Sequence, residues 1–165
     1  MPNHPTNPGD VEHLLWDEIE RHGVGMLAIV EAGPPHARPM HGFVERDHRR
    51  LWFFTDRGSD IARAAGAGRP ALFTFQQRDL QASLSGRIRV QHDRDRMDRF
   101  WNAVVAAWHP GGKSDPGLTL LSLDCDEAEV WFSASGPFQF AWEIAKANAT
   151  RNLPDVGGRV HLDFH

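Results

Sequence analysis

Apolar and polar positions alternate along this chain with two periods, and the changes of period mark the elements. Behind Asp10, a residue able to cap a helix, Val11, Leu14, Leu15 and Ile19 recur at helical spacing, predicting a helix to about Arg21 that Gly23 and Gly25 end. Met26 to Val30 is a short apolar run of strand type, followed by a Gly-Pro-Pro turn within Glu31 to Pro35. Arg38 to Val44 and Leu51 to Thr55 read as strands joined by a turn at Asp47 to Arg49. Ser59 is placed to cap a short helix over Asp60 to Ala67, which Gly68, Arg69 and Pro70 close. Ala71 to Phe75 is a further strand. From Ala82 to Val90 the alternation is strict, with Ala82, Leu84, Gly86, Ile88 and Val90 on one face.

The pattern then turns helical. Met97, Phe100, Trp101, Val104, Val105 and Trp108 form one stripe and predict a single helix over Asp95 to Trp108, broken by His-Pro-Gly-Gly. Leu118 to Leu123 and Glu129 to Ser133 read as two strands, and Phe138 to Ala149 as an amphipathic helix. Beyond Arg151, Val160, Leu162 and Phe164 alternate, as in a short edge strand or an unordered tail. Residues 1–9 read as a disordered lead-in, 10–150 as one domain and 151–165 as a tail. Six or seven short, mostly antiparallel strands with peripheral helices predict an α+β, mainly β fold built on a small barrel. A doubly wound parallel sheet does not fit, because the second and third strands are joined by only a short turn.

A length of 165 residues suits one domain with a sizeable core. The net charge of -4 gives no general attraction to nucleic acid or anionic membrane. One cysteine, Cys125, excludes an intrachain disulfide framework. No apolar run approaches a membrane span and no secretory leader is evident, so the expected setting is cytoplasmic. Six Trp without a Tyr is an unusual balance. Trp52, Trp101 and Trp108 read as core on their elements.

Most catalytic signatures fail on spacing. The Gly-Lys-Ser at 112–114 lacks the first glycine of a phosphate loop, which falls at Ala107, and it follows a helix rather than a strand. No G-x-G-x-x-G follows a strand. No metal-type His spacing and no G-x-S-x-G elbow occurs. Cys125 stands between Asp124 and Asp126, which disfavour a thiolate. The region from Arg38 to Gly86 is different. Its strands end in polar residues suited either to a plain barrel or to a flat anionic ligand. In the second case Arg38 would hold a phosphate or ring carbonyl, Thr55 a polar ring edge, and Ser59 an anion.

These residues carry a resemblance. The segments ARPM at 37–40, LWFFTDRGS at 51–59, SLSGRIRV at 83–90, AWHPGGKSDPGL at 107–118 and EAEVWFSAS at 127–135 resemble, in order, the FMN-binding split β-barrel superfamily of pyridoxamine 5'-phosphate oxidase-like proteins, and within it the general stress protein branch. The resemblance implies a homodimer with two flavin clefts at the subunit interface. It implies that Arg38, Pro39 and Met40 lie along the flavin, with Phe54 and Thr55 at its ring edge and Ser59 near its phosphate. Gln81 matches a ring-bonding Gln and Trp131 a Trp supplied by the second subunit. Lys113 and Ser114 match an interfacial polar pair. FMN is the implied cofactor, with FAD as an alternative, and no catalytic residue is compelled.

Two departures qualify this. Where the family often carries a basic residue after the phosphate-side Ser, this chain has Asp60 and Ile61. One or two charge-assisted bonds of ~1.5–3 kcal/mol each are thereby lost, with Arg57 or Arg63 placed to compensate. After Trp131 the oxidase branch has R-x-H, and this chain reads Phe-Ser-Ala-Ser-Gly-Pro-Phe. The implied function is therefore a flavin-binding protein of the general stress type, with weak flavin-dependent oxidoreduction at most and not a true pyridoxamine phosphate oxidase. The alternatives are a non-catalytic dimeric binding or sensing module with a degenerate phosphate site, or the same fold holding FAD, a deazaflavin or haem.

Overall fold

The computed structural model describes residues 8–30, 37–132 and 158–165. The expected turn at 31–35, the helix at 138–149 and most of the lead-in lie outside the described residues. In chain order the elements are α1 (Pro8–His22), β1 (Val24–Ile29), β2 (Ala37–His41), β3 (Phe43–Glu45), a 3-10 turn (Arg46–His48), β4 (Arg50–Asp56), α2 (Asp60–Ala65), β5 (Arg69–Gln76), β6 (Leu80–Val90), α3 (Arg94–Phe100), α4 (Ala103–Trp108), β7 (Leu118–Phe132) and β8 (Gly158–Asp163). The strands form one curled antiparallel sheet in the order β2-β1-β5-β6-β7-β4-β3, with β8 added to β7. The split-barrel, α+β reading is the fold observed.

β7 explains how the sheet curls. Its first half pairs with β4, from Leu118↔Asp56 to Asp124↔Arg50, and its second half pairs with β8. From Leu121 to Phe132 it also pairs with β6, with a bulge where Ser85 faces Glu127 and Gly86 faces Cys125. The bulge bends the strand and passes it from one edge partner to the other. A Cβ on Gly86 would lie 1.9 Å from the Asp124 carbonyl oxygen, so the strands can approach this closely only at a glycine.

The apolar side chains sort onto two sides of the sheet. Inside the curl, Leu27, Phe53, Phe73, Leu84, Leu123 and Val130 pack with Leu15, Trp16 and Ile19 of α1, which closes one opening. On the other side Trp52, Phe54, Leu118 and Leu120 meet Met97 and Val105 of α3 and α4. β4 is therefore buried on both faces. Val160, Leu162 and Phe164 join the inner core, Phe164 stacks on Trp16 with centroids 5.6 Å apart, and the tail thus includes an edge strand.

Three sequence readings are corrected. The strand over Arg38 to Val44 is two strands interrupted at Gly42, whose N–H donates to the Gly23 carbonyl at 2.9 Å. The helix over Asp95 to Trp108 is two helices. Trp101 takes an extended conformation, and Asn102 Oδ1 accepts from Val105 N at 2.9 Å to cap α4, so a side-chain acceptor outcompetes the helix interior. This breaks the apolar stripe, leaving Trp108 79% exposed rather than in the core. The two strands after Leu118 are one, because the polar Asp124 to Glu127 stretch is the bulge and not a turn.

Candidate functional site

Arg38 reaches the first turn of α2 from β2, 22 residues earlier in the chain. Its Nη2 donates to Asp60 Oδ2 at 3.0 Å. Arg63, one helical turn after Asp60, donates to the other carboxylate oxygen. One exposed carboxylate thus bridges two guanidinium groups. Hydrogen bonds from Arg63 and then Arg38, with their charges, hold the Asp60 carboxyl below its ordinary range.

Beneath this cluster lies a hydroxyl pair. Thr55 Oγ1 is 2.8 Å from Ser59 Oγ, which accepts from Ala62 N at 3.2 Å and so caps α2 as expected. Thr119 faces Thr55 across β4 and β7, and its Oγ1 is buried with no hydrogen-bond partner among the described residues. Ile61, at the position where a basic residue was expected, turns into the core at 5% exposure. The donors that remain for an anion here are Arg38, Arg63 and one hydroxyl hydrogen, the other being used between Thr55 and Ser59.

The other candidates are not all in this place. Met40 packs partly buried against the inner core, and Pro39 pairs with Met26 on the outer face. Phe54 points away from Thr55, into the second core, with its ring 5.7 Å from Phe43, 5.8 Å from Trp101 and 6.3 Å from His109. The expected Phe54–Thr55 pair is thus divided between the two faces of β4. Gln81 and Trp131 are directly opposite each other on β6 and β7, with Trp131 40% exposed. Trp131 follows Thr119 by twelve residues, roughly 40 Å along one strand at ~3.3 Å per residue. Lys113 is bound to Asp98, with Nζ 2.9 Å from Oδ1.

One feature escaped the sequence reading. A cleft of about 240 Å³ is lined by Asp56, Trp108, His109, Asp115 and Leu118, with His109 Nδ1 4.0 Å from Asp56 Oδ1. It lies beyond the end of β4, and nothing in the spacing of those residues announces it. His41 is partly exposed at the end of β2, its ring 4.5 Å from that of Phe43 and laid on Gly23, where any Cβ would collide with it. Burial lowers its pKa, which favours the neutral imidazole.

The model of the pyridoxamine 5'-phosphate oxidase like family matches residues 10–155. The chain belongs to this family. General stress protein 26 of Bacillus subtilis is 24% identical over 131 residues, covering 75% of this chain and 90% of that protein. Among solved structures, one from Jannaschia sp. CCS1 named after general stress protein 26 is 33% identical with a TM-score of 0.75, covering 94% of this chain and 99% of that one. The general stress FMN/FAD binding protein from Xanthomonas citri is 37% identical with a TM-score of 0.71, covering 78% of this chain and 92% of that one. No helix among the described residues is long and apolar enough to cross a membrane.

Proposed function

We propose that this chain is a flavin-binding protein of the general stress type, with FMN as its first cofactor and FAD as an alternative, acting as a cytoplasmic homodimer. The observation that carries this reading is the convergence of Arg38, Arg63, Thr55 and Ser59 at one end of the barrel, where they offer charged and hydroxyl donors to a phosphate. Similarity to the FMN/FAD binding protein from Xanthomonas citri supports the choice of ligand. Bound flavin would supply hydride and electron transfer, and the chain's residues would hold and orient it. The missing R-x-H segment argues against oxidation of pyridoxamine phosphate.

The wide separation of candidates favours a dimer. Gln81 and Trp131 lie on the outer face with the exposed Val24 and Met26, away from the arginine cluster. A ligand that meets both groups requires a second copy of the chain. The test is to purify the protein without added cofactor, record its visible spectrum, and titrate FMN by fluorescence quenching alongside sedimentation. Flavin bands, or saturation at one FMN per chain of a dimer, support the reading. A colourless protein that does not quench FMN rejects it and favours the second reading, a binding or sensing module, which the buried Ile61 and the carboxylate of Asp60 support.

A further inference from the structure

The cleft beyond the end of β4 differs in chemistry from the arginine cluster. Successive residues of a strand point to opposite faces, so Asp56 turns away from Thr55 and the hydroxyl pair. The volume of about 240 Å³ is below the ~300–1,000 Å³ of pockets for drug-sized ligands, so it suits a small molecule and not a flavin. One wall is the indole of Trp108, which is 79% exposed and has no ring contact among the described residues. Pro110 and Leu118 complete the apolar lining. The polar lining is acidic. The Asp56 side chain is 70% exposed, and His109 Nδ1, at 4.0 Å, is too far away to hydrogen-bond to it. Asp115 Oδ1 accepts from Gly117 N at 2.8 Å. Its Oδ2 lies where a Cβ on Gly111 would be 2.2 Å away, so the glycine makes room for this carboxylate. No Lys or Arg lines the cleft. The cations nearby in the chain are engaged elsewhere, Lys113 with Asp98 and Arg57 with His92 at 3.1 Å.

We propose that this cleft binds a small organic ammonium ion, with its charge against the Trp108 indole face and attracted by the Asp56 and Asp115 carboxylates. A cation is drawn to the negative face of an aromatic ring, and indole is the strongest such face among the side chains. The two carboxylates add Coulomb attraction of the same sign and repel phosphates and carboxylates. His109, Asp56 and Asp115 do not gather closely enough to hold a metal ion. A quaternary ammonium ion fits the lining well, because its methyl groups meet Trp108, Pro110 and Leu118 while its charge needs no hydrogen-bond acceptor. The proposal is independent of the flavin reading, since the cleft shares no residue with the phosphate donors.

The experiment titrates the protein by calorimetry with choline and with its uncharged isostere 3,3-dimethylbutan-1-ol, at pH 8, where an ordinary imidazole is neutral. The parent, Trp108→Leu and Asp56→Asn are compared. Both residues are exposed, and circular dichroism verifies that the variants are folded. Choline is expected to bind the parent with a millimolar dissociation constant, and the alcohol more than about tenfold more weakly. Trp108→Leu keeps an apolar side chain and removes the ring, so it should weaken choline about fivefold. Asp56→Asn should weaken choline by a similar factor, about fivefold, and leave the alcohol unchanged. Equal binding of choline and the alcohol overturns the proposal, because the cleft would then be recognising shape alone. No heat from choline at millimolar concentrations overturns it as well, as does an unchanged choline affinity in Trp108→Leu. The comparison of the two ligands on the parent needs no variant, so a folding defect does not protect the idea. FMN titrated into the same samples reports on the flavin reading separately.

Discussion

Replacing Glu45 with Gln removes the charge that ties α3 to the β3–β4 hairpin. The Glu45 side chain is almost fully buried. Oε2 accepts from Trp52 Nε1 at 2.5 Å, Oε1 accepts from Arg96 Nη2 at 2.7 Å, and His48 Nδ1 lies 2.7 Å from Oε1. Burial alone would push this carboxyl up. Hydrogen bonds from Arg96 and Trp52, then the Arg96 and His48 charges, more than reverse that and hold it down to about 2, from 4.5. A folded pKa depressed below the unfolded one stabilises the protein fully above the unfolded value, and this stability is lost as pH falls through the folded one. At ~1.36 kcal/mol per unit the ceiling is ~3 kcal/mol. Arg96 and His48 are partly in water, so ~2–3 kcal/mol is the working figure. Urea denaturation of the parent and Glu45→Gln should therefore differ by ~2–3 kcal/mol at pH 6, and by less than half of that at pH 3. A difference that stays constant between those pH values would refute the reasoning, because it would show that the loss is one of packing and not of charge.

Three other outcomes follow from the sheet. Gly86→Ala forces a methyl onto the Asp124 carbonyl and should cost ~2–3 kcal/mol or prevent folding; a urea midpoint equal to the parent's would show that the bulge relaxes freely. Thr119→Val replaces a buried, unpartnered hydroxyl with a methyl and should stabilise by ~1 kcal/mol, read as a higher melting temperature. A lower one would mean that the hydroxyl has a partner. The Cys125 thiol is pushed up strongly by burial and then by Asp124 and Asp126, so it should resist an aromatic disulfide reagent at pH 8 until the protein is unfolded; rapid labelling of the native protein would contradict this.

Strands with one face in water were easy to read from sequence. The alternation of β6 survives intact because its inner face meets the core and its outer face does not. β4 shows no alternation to read, since Leu51 and Phe53 fill one core and Trp52 and Phe54 the other. The error at α3 and α4 has a local cause that periodicity does not register. The spacing of Met97, Phe100, Trp101 and Val105 suits one continuous helix, but Asn102 offers a cap in the middle of it. At β7 the misleading signal was Asp-Cys-Asp-Glu, which has the polarity of a turn and the geometry of a bulge. Only pairing with β6 and the clearance at Gly86 distinguish the two.

The candidate site was legible where chemistry is local and hidden where it is not. Ser59 as a cap needs only its own neighbours, and it is one. Asp60 in sequence is merely an acid in a place where a base was expected, and its evident effect is repulsion of an anion. In the fold it is also the link between Arg38 and Arg63, so it orients the same two guanidinium groups whose charge it reduces. The departure that looks like a lost site in one dimension is thus, in three, the residue that gathers the site's two arginines.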